Sequence, residues 1–198
     1  MPSAADARRA HIIKLAATLF DQRGYASVSM EQIAVAAGLA KPTLYHYFRA
    51  KEEILRGIHE AFIDVLLARQ EERLRLALAP EDQLLGAMTD VLGLMETHRG
   101  YVRVFFEHYR DLSAPVRAEI RVKRNRYQQL VWNAIAEGIG DGTFRDVDPD
   151  AATLAVFGMC NWAYQWWRPG SGMDSALTAQ KLWDIVIRGL AAPDARHR

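Results

Sequence analysis

The sequence predicts an all-α protein of about nine helices, and three observations predict it. Apolar residues recur at three- and four-residue steps through most of the 198 positions, as helices with one buried face require. Proline and glycine punctuate these segments, at Gly24, Gly38, Pro80, Pro115, Pro149 and Pro169. No run of residues alternates apolar and polar in the manner of a half-buried strand.

Residues 6–22 form the first helix, with Ile12, Ile13, Ala16, Leu19 and Phe20 at helical spacing. Arg8, Arg9 and Lys14 fall near its exposed side, where an arginine can reach a phosphate or simply meet water. Gly24 and Tyr25 end it.

The stretch from Ser29 to Lys51, SMEQIAVAAGLAKPTLYHYFRAK, organises the rest. Ser29 is an N-cap with Gln32 as its capping-box partner. Ile33, Ala34 and Ala37 form one small apolar face, and Gly38 stops the helix because glycine tolerates the left-handed turn at a helix C-terminus. A second short helix starts near Lys41 and Pro42, since proline suits a first helical turn. Leu44 and Phe48 face inward, and Lys41, Thr43, Tyr45, His46 and Tyr47 are left outside. Two helices at a steep angle, the second studded with polar and aromatic groups, make the geometry of a helix-turn-helix DNA reader. Lys41, Thr43 and Tyr45 are the candidates for base edges. Ser29, His46, Tyr47 and Lys51 are the candidates for phosphates, which position the protein without specifying sequence.

A long helix follows over 51–77, with Glu52 and Glu53 in a first turn that favours acids. Pro80 breaks it, and residues 81–97 form the next. Arg99-Gly100 interrupt, and 101–110 are dense in aromatics. Residues 116–137 form a long helix ending at Gly138, Gly140 and Gly142. Asp148-Pro149 open the helix 149–167, and residues 174–190 form the last.

Composition narrows the function. Half the residues are hydrophobic, enough for a sizeable core and against disorder. Net charge is +1, and residues 1–60 hold eight basic and six acidic residues, an imbalance too small to argue for nucleic acid by itself. The single cysteine, Cys160, excludes an internal disulfide, fits a reducing cytoplasm, and reads as a small buried hydrophobe. Ala151–Trp167 is seventeen residues without a charge, short of the roughly 20 that a membrane span needs. Burial on more than one face explains it better. His98 and His108 lack metal-type spacing, and no paired carboxylates or Ser/His/Asp set stands out, so neither a metal nor an enzymatic cofactor is expected. Gly138-Ile139-Gly140-Asp141-Gly142 follows a helix and lacks the Gly-Lys-Ser/Thr of a phosphate loop, so it reads as a turn.

The string SMEQIAVAAGLAKPTLYHYFRAKEEIL, with Ala17, Leu19, Phe20 and Gly24-Tyr25 before it, resembles the signature of TetR-type transcriptional repressors over about residues 8–60. Ala40 departs from it, standing where that family often has a capping serine. The resemblance implies a DNA-binding domain over residues 1–51 and an effector-binding and dimerisation domain over 52–198. It implies a cytoplasmic homodimer on a near-palindromic double-stranded operator, joined through the last two helices of each subunit. Ala155, Trp183 and Ile187 are then interface positions. The segment Asn161–Gly170, NWAYQWWRPG, resembles the corresponding segment of the acyl-CoA-responsive branch of that family, including regulators of fatty-acid and steroid degradation. An interface rich in tryptophan is the other reading of it. On the acyl-CoA reading, the acyl part sits among Met88, Leu92, Phe105, Asn161, Trp162 and Trp166. Its phosphates lie near Arg121, Arg124 or Arg168, through guanidinium contacts. The alternatives are a regulator of an efflux system that answers a free hydrophobic compound and, more distantly, an enzyme that processes acyl-CoA.

Overall fold

The computed structural model describes residues 3–167 and 172–190, with Leu190 as backbone only. Among them are nine α-helices and no strand. They are α1 (Ala4–Arg23), α2 (Met30–Ala36), α3 (Lys41–Tyr47), α4 (Lys51–Arg75), α5 (Pro80–Thr97), α6 (Arg99–Glu107), α7 (Ala114–Gly140), α8 (Pro149–Trp166) and α9 (Ser175–Leu190). A 3-10 turn at Tyr109–Asp111 follows α6.

The chain forms two compact units. The first gathers the described residues up to Ile63 together with His98–Val122. The second gathers Asp64–Thr97 and the described residues from Lys123 onward. α4 and α7 therefore contribute residues to both.

In the first unit α1 packs on α6 and α2, around a core that includes Ile12, Phe20, Ile33, Leu44, Phe48 and Leu55. Gly100 lies inside α6 rather than interrupting it. A Cβ there would meet the carbonyl oxygen of Ala17 at 3.1 Å and two more α1 backbone atoms within 3.3 Å, so glycine permits the close crossing of α1 and α6. In the second unit α5 packs on α8 and α9. Gly138 likewise belongs to α7, which runs to Gly140. The Phe144 ring covers Gly138, and a Cβ would fall 2.4 Å from that ring. The chain turns at Gly142, whose φ is +83°.

Candidate nucleic-acid interface and effector region

The reading pair is built by local sequence. The Ser29 hydroxyl accepts from the amide of Gln32 at 3.2 Å, and the Gln32 side chain accepts from the Ser29 amide at 2.8 Å, so the capping box starts α2. At the other end Gly38 takes φ +64°. Its amide donates to Val35 and that of Leu39 to Ala34, closing the helix in a Schellman motif. α3 begins without a side-chain cap, as Ala40 requires, and carries Pro42 in its first turn. Leu44 and Phe48 are fully buried. Lys41, Pro42, Thr43, Tyr45 and His46 are exposed together, Tyr47 is half-buried, and Ser29 is exposed at the head of α2.

Two basic residues hold this pair in place. The Arg9 guanidinium lies 4.0 Å from the centre of the Phe48 ring and donates to the Tyr47 carbonyl at 2.5 Å, capping the end of α3. Arg8 donates to the Ala37 carbonyl at 3.4 Å. Both arginines thus bind backbone within the first unit.

Lys51, offered above as a phosphate contact, has backbone partners within the first unit. Its ammonium turns inward and donates to the carbonyls of Tyr25 at 2.7 Å, Val28 at 2.8 Å and Ala26 at 3.4 Å, above the Tyr25 ring. Three acceptors occupy its three N–H groups. In this conformation Lys51 clamps the loop that delivers Ser29 to α2. Partial burial pulls its pKa below the ordinary lysine value. Lys51→Met should lower stability by about 1–2 kcal/mol, because those carbonyls lose a charged donor. A denaturant titration checks it, and unchanged stability would show that the clamp carries nothing.

Lys41 also has a partner. Its ammonium meets the carboxylate of Glu31, in the first turn of α2, with both side chains more than half exposed. The contact holds the Glu31 carboxyl below the usual range and raises the Lys41 pKa.

The residues expected at an effector come from both compact units. Met88 and Leu92 are buried core of the second unit. Phe105 is buried core of the first, stacked 4.4 Å from Phe62 and 5.2 Å from His59, centre to centre. Arg121 is exposed and Arg124 half-buried, three residues apart on α7. Their basic neighbours Lys123 and Arg126 pair with Asp64 at 2.8 Å and Glu71 at 2.6 Å. Asn161 is half-buried, whereas Trp162 is 62 % and Trp166 48 % exposed, so the two tryptophans lie outside the core. Arg168 lies outside the described residues.

Sequence reading missed a polar cluster inside the second unit. Asp90 on α5 is buried and accepts from Arg69 at 2.8 Å and Arg73 at 2.5 Å. Arg73 also donates to the Gln70 side chain at 3.1 Å. The Arg73 guanidinium lies over Gly86, where a Cβ would fall 2.1 Å from Nε. The Tyr127 hydroxyl is buried in the same unit without a hydrogen-bond partner, and burial and Asp90 both push its pKa up. Burial pushes the Cys160 thiol up to about 12, which keeps it protonated and unreactive near neutrality.

α8 and α9 leave an apolar face uncovered. It presents Leu154, Trp162, Leu177 and Ile185. A groove of about 340 Å³ on it is lined by Ala151, Ala155, Met159, Ile185 and Gly189, with Arg145 and Asp148 at its polar edge. Ala155 is exposed here and Ile187 half-buried. Trp183 is only 8 % exposed within its own chain, on α9, which packs on α5.

A short outward-facing helix, held by a preceding one through a capped and glycine-closed turn, defines a helix-turn-helix DNA-binding protein. Residues 12–58 match the profile described as bacterial regulatory proteins, tetR family, and residues 77–190 match that of the tetracyclin repressor-like C-terminal domain. The chain belongs to the TetR family and is a transcriptional regulator of that type. It is 28% identical over 191 residues to the HTH-type transcriptional repressor KstR2 of Mycolicibacterium smegmatis, covering 96% of this chain and 93% of that protein. Among solved structures it is similar to the TetR family regulator PfmR from Thermus thermophilus, with 32% identity and a TM-score of 0.84, over 91% of this chain and 99% of that one. It is also similar to AibR in complex with isovaleryl coenzyme A and operator DNA, with 26% identity and a TM-score of 0.81, over 90% and 97%. The relatives are regulators, and among the described residues no helix is long and apolar enough to cross a membrane.

Proposed function

We propose that this chain is a homodimeric repressor that leaves a near-palindromic operator when it binds an acyl-CoA thioester. The likeness over nine-tenths of the chain to a regulator crystallised with both an acyl-CoA and operator DNA carries this reading. Residues 1–51 read DNA and residues 52–198 hold the effector and dimerise. Lys41, Thr43 and Tyr45 meet base edges with Pro42 packed beside them, and Ser29, His46 and Tyr47 meet phosphates. Lys51 acts as a positioning residue, through the loop it clamps. The exposed α8–α9 face supports the dimer, since one reading helix spans too few bases alone and two must reach grooves about 34–36 Å apart.

The acyl chain enters the apolar interior of the second unit at Met88 and Leu92, with Asn161 near its polar end, and Arg121 and Arg124 take the coenzyme A phosphates. Trp162 and Trp166 serve the dimer face, where large exposed aromatics gain most from a partner. α4 runs unbroken from Lys51 to Arg75 and carries the effector signal toward the reader.

The test is release of operator DNA, followed by fluorescence anisotropy, with a series of acyl-CoAs beside their free acids. Acyl-CoAs should release the DNA at concentrations where the acids do nothing. Arg124→Ala should raise the concentration needed by about tenfold, the loss of one charge-assisted contact, and leave operator affinity unchanged. Equal potency of acid and thioester would reject the coenzyme A class and favour a regulator of efflux that answers a free hydrophobic compound.

A further inference from the structure

An ion pair joins the two reading helices at their surface. Lys41 and Glu31 are 54% and 55% exposed, so neither fills the core. Nor is the pair a cap, because α2 is capped by Ser29 and Gln32 and α3 has no side-chain cap. An ion pair this exposed adds little to stability. A carboxylate beside a DNA-reading helix also meets repulsion from every nearby phosphate, which its ion pair and a matched contact to a base together offset. Val35, one turn along α2 from Glu31, is 80% exposed, so this face of α2 carries an apolar group that its own chain leaves uncovered.

We propose that Glu31 and Lys41 act as one unit that reads a G·C step in the major groove, with Glu31 determining specificity. Lys41 keeps one carboxylate oxygen and donates another N–H to guanine N7 or O6, two adjacent acceptors that only guanine offers together. The second Glu31 oxygen accepts from the N4 amino group of cytosine, so the unit as a whole calls for two acceptors followed by a donor, an order that only the G·C edge presents. The pair cancels its own charge, so it contributes sequence discrimination and little non-specific attraction. This rests on the reader binding DNA as proposed above, and adds a residue of α2 to it.

The test is selection from a random double-stranded DNA library, by native protein, Glu31→Gln, Glu31→Ala and Lys41→Ala. The native dimer should enrich a near-palindrome with one fixed G·C position in each half. Both Glu31 variants should lose about 5- to 150-fold of the preference at that position and keep the rest of the half-site. Lys41→Ala should lose preference at the same or the adjacent pair. Glu31→Gln should also steepen the salt dependence of binding by about one ion per reader, because it frees the Lys41 charge. If the native protein enriches no motif, the DNA-reading assignment itself fails. If it enriches one and the Glu31 variants enrich it with unchanged weights, or with weights weakened evenly at every position, the Glu31 proposal alone is overturned.

Discussion

Ile185→Glu is expected to turn the protein into a folded monomer and to abolish operator binding. Ile185 is 64% exposed on α9 and lines the groove on the α8–α9 face, so a carboxylate there costs the isolated chain almost nothing. In a dimer closed over that face, the same carboxylate is buried without a partner, which costs several kcal/mol. Ala155→Glu, on the same groove, should act alike. Sedimentation should show a monomer, with helical circular dichroism unchanged. Operator affinity should fall by about a thousandfold or more, to the level of non-specific binding, because each monomer brings one reading helix. Trp183→Glu separates the two effects, since Trp183 is buried in its own chain and its replacement should lower monomer stability instead. A dimer that survives Ile185→Glu with native operator affinity would place the interface elsewhere.

Asp90→Ala is expected to cost about 3 kcal/mol of stability, the low end of the loss when one member of a buried ion pair is removed. The Arg73 side chain keeps 16% exposure and the Arg69 side chain 50%, so most of the loss comes from Arg73, left over Gly86 without its carboxylate. Gly86→Ala attacks the same contact from outside. Alanine gains about 1 kcal/mol of helix propensity over glycine, yet its Cβ occupies the place of the guanidinium. The two losses should therefore be strongly non-additive in a double-mutant cycle. Replacing Arg73 and Asp90 together by Met and Leu should recover most of the stability, since an apolar pair leaves no buried charge. Chemical denaturation measures all four. Additive losses would mean that Gly86 and Asp90 do not act through Arg73.

The reader was legible residue by residue because its signals are local. The Ser29–Gln32 box, the glycine at position 38 and the inward pair Leu44 and Phe48 are all set within a few residues of one another. Helix order was equally legible, from apolar spacing. Boundaries failed where a glycine serves tertiary packing: Gly100 admits the α1 backbone and Gly138 the Phe144 ring, so neither ends its helix. Partners distant in sequence were not legible. Lys51 finds carbonyls 23 to 26 residues earlier, Lys41 finds Glu31 ten residues earlier, and Asp90 finds arginines 17 and 21 residues earlier. An apolar stripe shows that a helix is covered, not by what. On α8 the buried Val156, Cys160 and Ala163 and the exposed Leu154 and Trp162 read alike, and on α9 so do the buried Trp183 and the exposed Ile185.

Effector control of DNA binding is tested most directly by linkage. An effector that loosens the operator must itself bind more weakly when operator is present, by the same factor. Calorimetry of an acyl-CoA that releases the DNA, titrated into free protein and into saturated protein–operator complex, measures one factor. Anisotropy of the operator, with and without saturating acyl-CoA, measures the other. The two should agree, at about 5- to 150-fold, the range of ordinary coupling energies. Acyl-CoA binding with the same affinity to the free protein and to the operator complex would contradict effector-controlled repression by this chain.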